Sequence, residues 1–138
     1  MLETATASGE PRIEASYKVT DVTDRAQVEA LADFAWETYG HVDVIVNNAG
    51  IAIQEVSVID TDPAEVERIF AVNFYGVWHG SAVFGRRFIE QGTPAAIYNV
   101  GSENSLFHGV PMGSAYVATK QAVRALTELA DDLETCFN

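Results

Sequence analysis

The stretch NVGSENSLFHGVPMGSAYVATK, residues 99–120, places a serine just after an apolar run and then a tyrosine and a lysine four residues apart. If the second half of the stretch is helical, Tyr116 and Lys120 lie on one face, a single turn apart. An ammonium group beside a phenol is a device that lets tyrosine act as an acid or base near neutral pH. The stretch therefore predicts a proton-transfer site built from a strand end, a loop and a helix, with Ser102 at the strand end.

The segments around this stretch alternate between two hydrophobic patterns. Short β-branched runs have the character of buried parallel strands, and longer segments repeat apolar residues at helical spacing. The predicted elements are strand 17–20, helix 25–39, strand 42–46, helix 63–90, strand 96–100 and helix 114–134. This order is expected of a parallel α/β sheet, and no linker or repeat divides the chain into two domains.

Capping residues mark the predicted helix boundaries. The first helix has Asp24 or Thr23 as its N-cap and Gly40 as its stop. Asp62 and Pro63 supply an N-cap and a proline at the first position of the second helix. These residues predict where both helices begin and where the first one ends.

Composition narrows the classes of function. The chain has 138 residues, 48% of them apolar, which suits one soluble globular domain. Eight Lys and Arg against twenty Asp and Glu give a net charge of −12, which opposes contact with nucleic acid or anionic membranes. The single cysteine, Cys136, excludes an intrachain disulfide, and the three histidines share no metal-ligand spacing. Without a signal-peptide pattern or a long apolar run, we expect a cytoplasmic protein.

Five separate pieces of the sequence carry residues suited to cofactor binding or proton transfer. They are Asp21–Asp24, the NNAG run at 47–50, Asn73 within a long predicted helix, Ser102, and the Tyr116-x-x-x-Lys120 pair. In order and spacing they resemble the short-chain dehydrogenase/reductase family, whose members move a hydride between a nicotinamide cofactor and a carbonyl or alcohol. The resemblance implies a Rossmann-like, doubly wound parallel sheet, NAD or NADP as cofactor, and a small-molecule carbonyl or alcohol substrate.

The resemblance implies four catalytic residues. Tyr116 would exchange a proton with the substrate oxygen, and Ser102 would hydrogen-bond that same oxygen. Lys120 would bind the nicotinamide ribose and pass protons to solvent through a water held by the Asn73 carbonyl. By itself an asparagine within a helix is more often a packed or solvated polar residue, so its place in the family register is what favours a functional role.

The resemblance also implies cofactor contacts in two loops. Asp21 would hydrogen-bond the adenine amino group, although Asp21 and Asp24 are also what a plain helix start requires. The backbone of the NNAG run would lie along the cofactor, where Gly50 allows close approach, while the Asn47 side chain braces neighbouring strands. The implied cofactor-binding set is Asp21, Val22, Asn48, Ala49, Gly50, Tyr116 and Lys120.

The sequence departs from the family pattern around the catalytic serine. Many members have two successive serines and then a glycine three residues after the second, whereas this chain has Gly101, Ser102 and Ser105 at those positions. Ser105 is therefore a rival for the catalytic role, disfavoured because it lies further into the loop. The spacing from Ser102 to Tyr116 is one residue longer than in many members, which predicts a bulge.

The resemblance covers a central part of the family fold. The predicted domain, residues 1–138, is incomplete at both ends: it has no glycine-rich turn before Tyr17 and no substrate region after Asn138. We therefore expect these residues alone to be inactive. Strand 17–20 would also lack its neighbours, so it either pairs with strand 42–46, pairs with another chain, or leaves the chain unstable.

A second function class is compatible with the same residues. In the family, helices equivalent to 63–90 and 114–134 form a four-helix contact with a second subunit. The chain would then be a catalytically inactive remnant that acts as a helix-mediated oligomerisation module. Both readings imply a homo-oligomer, and they differ in whether the cofactor binds.

Overall fold

The computed structural model describes residues 14–54, 56–106 and 113–130. They form four α-helices and two β-strands, with a π-helical segment and a short 3-10 turn between them. In chain order the elements are α1 (Arg25–Tyr39), β1 (Val44–Asn47), α2 (Pro63–Phe70), the π segment (Ala71–Tyr75), α3 (Gly76–Gln91), β2 (Ala96–Asn99), the 3-10 turn (Glu103–Ser105) and α4 (Ser114–Ala130).

The two strands form a parallel pair, as the alternation of strands and helices predicts. Val44 lies opposite Ala96, and Asn47 lies opposite Asn99. The first strand begins two residues later and ends one residue later than predicted, and the second ends one residue earlier. Only the residues within these bounds are paired in the ladder. The carboxyl ends of both strands therefore meet at one edge of the sheet.

Helix α1 begins and ends as its capping residues predict. The Asp24 side chain accepts a hydrogen bond from the Ala26 backbone N–H, so Asp24 rather than Thr23 is the N-cap. Gly40 has a φ of 81°, and its N–H donates to the Trp36 carbonyl. Glycine adopts this left-handed conformation without strain, which is why the helix ends there.

The predicted continuous helix over 63–90 is wrong in its middle. Asp62 caps α2 and Pro63 begins it, as predicted, but the chain passes through the π segment before α3 starts. A π turn holds one more residue than an α turn, so the apolar faces of α2 and α3 point in different directions. Hydrophobic periodicity alone does not separate such a turn from a regular helix. The prediction that α4 continues to 134 lies partly outside the described residues.

The predicted strand over 17–20 is also wrong. This segment has no strand ladder, and Tyr17 and Val19 are 80% and 87% exposed. Within the described ranges no strand lies beside it, so its backbone has nothing to pair with. The alternative in which it moves to pair with 42–46 is not what the structure shows.

Helices α1 and α3 enclose a small hydrophobic core on one face of the sheet. Its buried members come equally from the two helices, and partly buried aromatic and aliphatic residues from α1, α3, β1 and the segment just before β1 surround them. Trp36 packs against Phe84 and Phe88, with ring centroids 5.7 and 6.0 Å apart. The buried members are Val28, Ala32, Val83 and Phe84. This packing holds α3 against the sheet and thereby positions the π segment at its start.

Candidate active site

The last residues of the two strands are joined through their side chains. The Asn47 amide Nδ2 donates to Asn99 Oδ1 over 2.8 Å and to Ser81 Oγ on α3 over 3.2 Å. This contact confirms the prediction that Asn47 braces neighbouring strands. The chain after β1, residues 48–50, is exposed at this edge.

Asn73 lies inside the π segment and is completely buried. Its Oδ1 accepts a hydrogen bond from the Ile51 N–H over 2.8 Å, and its Nδ2 donates to the Ile51 carbonyl over 2.9 Å. The Nδ2 group also donates to the hydroxyl of Thr119 on α4 over 3.3 Å. Asn73 therefore ties the loop after β1 to α4, a role that a solvated mid-helix asparagine does not have.

Gly50 brings a third stretch of the chain to the same place. A Cβ atom at position 50 would lie 3.5 Å from Asn73 Oδ1 and 3.7 Å from Lys120 Nζ. The last residue of the NNAG run, the π-segment asparagine and the lysine of α4 therefore converge. Along the chain, Gly50 and Asn73 are 23 residues apart, and Asn73 and Lys120 are 47 residues apart.

Lys120 is a nearly buried cation at this point of convergence. Only 5% of the residue is exposed, and its Nζ donates to the Val100 carbonyl over 2.9 Å. Burial lowers the pKa of Lys120 below its ordinary value. The Nζ atom lies 5.9 Å from the ring centroid of Tyr116, one helical turn earlier. The predicted pair thus shares one face of α4, with the half-buried Tyr116 ring beside the ammonium group.

Ser102 lies at the start of the 3-10 turn that follows β2. Its hydroxyl accepts a hydrogen bond from the Asn104 N–H over 3.2 Å, and its own N–H donates to Ser105 Oγ over 3.1 Å. Ser105, the rival serine, is only 9% exposed. The predicted bulge between Ser102 and Tyr116 stays a prediction, because residues 107–112 of that stretch lie outside the described residues.

The Asp21–Val22 segment lies apart from Lys120, beside the start of α3. The Asp21 carboxylate accepts hydrogen bonds from the N–H and hydroxyl of Thr23, and these bonds lower the pKa of Asp21. The Val22 carbonyl lies 3.0 Å from His79 Nδ1. A groove of about 330 Å³ has Val22 in one wall and Asn48 and Ala49 among its lining, so both predicted cofactor loops face it.

Comparison with known proteins decides the family. Residues 1–135 match the short chain dehydrogenase family. The chain belongs to the short-chain dehydrogenase/reductase family. It is 40% identical over 110 residues to the L-2,3-butanediol dehydrogenase of Corynebacterium glutamicum, covering 80% of this chain and 42% of that protein.

Solved structures of short-chain dehydrogenases/reductases have the same fold. A family member from Burkholderia phymatum in complex with NAD superposes with a TM-score of 0.80 at 38% identity, covering 85% of this chain and 41% of that one. A gluconate 5-dehydrogenase from Burkholderia cenocepacia, in complex with NADP and tartrate, has a TM-score of 0.73 at 34% identity, covering 81% and 43%. The described elements are therefore part of the Rossmann-like α/β fold of the family, and the chain spans less than half the length of these relatives.

Three contacts at the site involve residues that sequence reasoning missed. The Thr119 hydroxyl accepts from Asn73 and donates to the Tyr116 carbonyl over 2.7 Å, and Thr119 is completely buried. Gly76 admits the Val22 side chain, which would lie 2.8 Å from a Cβ at position 76. Nothing in the sequence marks Thr119, because its burial and its hydrogen-bond partners depend on how α4 packs against the π segment.

Among residues 14–54, 56–106 and 113–130, no group of three or more His, Cys, Asp or Glu could hold a metal ion. In that same part of the chain, no helix has the length and apolar character needed to cross a membrane.

Proposed function

We propose that the chain provides the proton-transfer half of an NAD(P)-dependent oxidoreductase that interconverts a secondary alcohol and a carbonyl compound. One observation carries the proposal: Asn73 Oδ1 and Lys120 Nζ, from two distant stretches, both lie within van der Waals distance of the point that a Cβ at Gly50 would occupy. A chain selected only for stability has no need to bury a lysine against a glycine and a fully bonded asparagine.

The residues present fit a nicotinamide cofactor. A side chain at position 50 would fill the space beside Lys120 Nζ, so glycine keeps this space open for a ligand. Lys120 supplies a cation that can bind ribose hydroxyl groups, and the exposed backbone of residues 48–50 offers hydrogen bonds along the same edge. When bound, the cofactor accepts or donates the hydride; the protein orients the reactants and moves the proton.

Each side chain has a distinct role in the proposed proton transfer. The Tyr116 phenol donates its proton to a carbonyl oxygen during reduction and takes it back during alcohol oxidation. The Ser102 hydroxyl already accepts from Asn104, so its hydrogen can be donated to the substrate oxygen. Lys120 places its ammonium group beside the Tyr116 ring, and Asn73 holds the loop that carries Gly50 in place.

The test uses a chimera, because the chain spans 42% of the butanediol dehydrogenase relative. The aligned 110-residue segment of that relative is exchanged for the corresponding residues of this chain. We expect oxidation of 2,3-butanediol with NAD or NADP, measured by nicotinamide absorbance. Tyr116→Phe should lower kcat by roughly a hundredfold or more while the affinity for NADH stays within about threefold. Unchanged turnover in the Tyr116→Phe chimera would contradict the proposal.

We further propose that the chain associates with a second copy through the region of residues 63–91 and α4. What supports this is a set of apolar side chains at helical spacing that are exposed on these segments. Tyr75, Trp78 and Ile89 are 54%, 48% and 52% exposed, and Leu129 on α4 is 69% exposed. Large apolar side chains left exposed are typical of association surfaces when they lie together. This association is compatible with an active enzyme and with an inactive oligomerisation module.

A further inference from the structure

We propose that Ser105 is a positioning residue for Ser102, and that residue 101 is glycine because a side chain there would displace the Ser105 hydroxyl. The inference deepens the proposed function and rests on it, since Ser102 is the group that contacts the substrate oxygen. It assigns Ser105 a role that acts through another residue.

The first observation is a reciprocal pair of hydrogen bonds around Ser102. The Ser105 hydroxyl accepts from the Ser102 N–H over 3.1 Å, and the Ser102 hydroxyl accepts from the Asn104 N–H over 3.2 Å. Ser102 is extended, with φ −159° and ψ 163°, where the strand changes into the 3-10 turn. One bond holds the Ser102 backbone and the other holds its side chain, so together they fix the position of the hydroxyl oxygen.

The second observation is the burial of Ser105. The residue is 9% exposed, and its hydroxyl oxygen is engaged with the Ser102 backbone. A serine that contacts substrate needs an accessible hydroxyl oxygen. Ser102 is half-buried and is therefore more accessible than the buried Ser105. The structure thus separates the two serines that the sequence left as rivals: one faces the site and the other supports it.

The third observation explains Gly101. A Cβ at this position would lie 3.0 Å from Ser105 Oγ, closer than nearly all such contacts. Gly101 is exposed, and its φ is not in the left-handed region, which among the described glycines is found at Gly40 and Gly92. Backbone conformation therefore does not require glycine at 101, whereas a Cβ there would press on the Ser105 hydroxyl and favour a small shift of it.

The contacts of Ser105 and Gly101 offer a physical reason for the departure from the common family pattern at these two positions. Where many members have a serine before the catalytic serine and a glycine three residues after it, this chain has Gly101 and Ser105. The hydroxyl and the glycine have exchanged places. The two positions should therefore act as a coupled pair, in which the effect of changing one depends on the other.

Amide hydrogen exchange of the complete 138-residue chain, followed by NMR, tests the contact without requiring activity. Ser105→Ala should speed exchange of the Ser102 amide by about tenfold, because its acceptor is lost. Ser105→Thr, which keeps a hydroxyl, should restore protection. Ser57→Ala is the matched control, since Ser57 bonds Asp60 in a distant turn. If Ser105→Ala leaves Ser102 exchange unchanged, the inference is overturned.

The coupling is tested by the same measurement. Gly101→Ala should also speed Ser102 exchange by about tenfold, since the new Cβ displaces the Ser105 hydroxyl. In a Ser105→Gly background the same Gly101→Ala change should have less than about a twofold effect. Equal effects in both backgrounds would refute the role given to Gly101.

Turnover of 2,3-butanediol by the chimera separates a positioning role from a general structural one. Ser105→Ala should lower kcat by about tenfold with KM for the cofactor unchanged, and should have no further effect in a Ser102→Ala background. Losses that add in that background would overturn the positioning role. If Ser102→Ala lowers kcat and Ser105→Ala does not, the role given to Ser105 is wrong while the proposed function still stands. If Tyr116→Phe retains full turnover, the proposed function itself is wrong.

Discussion

At the scale of residues, Gly50 and Asn73 set the geometry of the site around Lys120. At Gly50 a hydrogen atom takes the place of a Cβ that would contact both Asn73 Oδ1 and Lys120 Nζ. At Asn73 one side-chain amide binds both the N–H and the carbonyl of Ile51. These two bonds hold the loop after β1 against the π segment, and the Asn73–Thr119 bond links that segment to α4. The lysine therefore lies beside a backbone stretch that is open on one side.

The Thr119 hydroxyl links Asn73 to the Tyr116 backbone, and Thr119→Val should break this link at nearly constant volume. Two buried polar groups then lose a partner, so we expect the free energy of unfolding to fall by about 1–3 kcal/mol. In the chimera kcat should also fall, by roughly tenfold, because Tyr116 is less firmly placed. Urea unfolding and steady-state kinetics measure the two effects. Thr119→Ser, which keeps the hydroxyl, should lose far less; equal losses in both variants would contradict this role.

The buried ammonium of Lys120 predicts a pH dependence of stability. Burial lowers the pKa of Lys120 below 10.5, so the unfolded chain holds this proton more tightly than the folded chain. The cost of burying the cation is fully present below the folded-state pKa and disappears as pH rises from there toward 10.5. We therefore expect Lys120→Met to gain stability relative to the parent most at neutral pH, with the gain shrinking in alkaline solution. Urea unfolding of both proteins across this range checks it, and a difference that does not change with pH would contradict it.

Residue-scale features differ in how far the sequence predicts them. Tyr116 and Lys120 are recognisable because a four-residue spacing on a helix fixes their relation. Thr119 and Ser105 are not, since their roles depend on which distant group their hydroxyls meet, and that is decided by the packing of α4 and by the turn after β2. A serine or threonine looks the same in a sequence whether it is solvated or bonded to a buried amide.

At the scale of elements, the π segment places Asn73. An extra residue in one turn shifts the faces of α2 and α3 relative to each other. Asn73 can then point at the loop after β1 while α3 keeps its apolar face on α1. Apolar periodicity and the Asp62 cap predict that both segments are helical. Periodicity does not reveal that one turn between them holds an extra residue. Similarly, residues 17–20 have strand composition without a strand, because pairing depends on neighbours rather than on composition.

Close packing of α3 on β1 predicts different effects at two glycines of the same helix. A Cβ at Gly80 would lie 2.0 Å from Asn47 Oδ1, whereas a Cβ at Gly85 would be 3.6 Å from Ile97 Cδ1, an ordinary contact. Gly80→Ala should therefore lower the free energy of unfolding by about 1–3 kcal/mol. Gly85→Ala should be neutral or raise it by up to about 1 kcal/mol through helix propensity. Thermal or urea unfolding compares them, and the reverse order would contradict the packing described for α3.

At the scale of the whole molecule, the sequence predicts the α/β class, the parallel pairing and the family. It does not predict how many of the expected strands form the sheet. Two strands form the ladder, and the side chains of Val44, Val46 and Tyr98 on one face are about half exposed. Alternation of strand and helix is enough to predict the class. It does not predict which strands find neighbours, and so the strand predicted over 17–20 was wrong.

The exposed apolar side chains near α3 and α4 predict self-association. If they form the contact, Trp78→Glu should shift the chain toward monomer, because a buried charge without a partner is costly. Sedimentation at several concentrations measures the shift. Thr38→Glu, on the exposed side of α1, is the control and should leave the distribution unchanged. A parent chain that sediments as a folded monomer at high concentration would contradict the association.

Proton transfer by Tyr116, whose ring lies beside the Lys120 ammonium group, is the step on which the proposed nicotinamide-dependent reaction depends. Its most direct test is kcat for 2,3-butanediol oxidation by the chimera with and without Tyr116→Phe, measured together with NADH affinity. We expect a loss of roughly a hundredfold or more in kcat with NADH affinity retained within about threefold. Turnover by the Tyr116→Phe chimera equal to that of the parent chimera would contradict it.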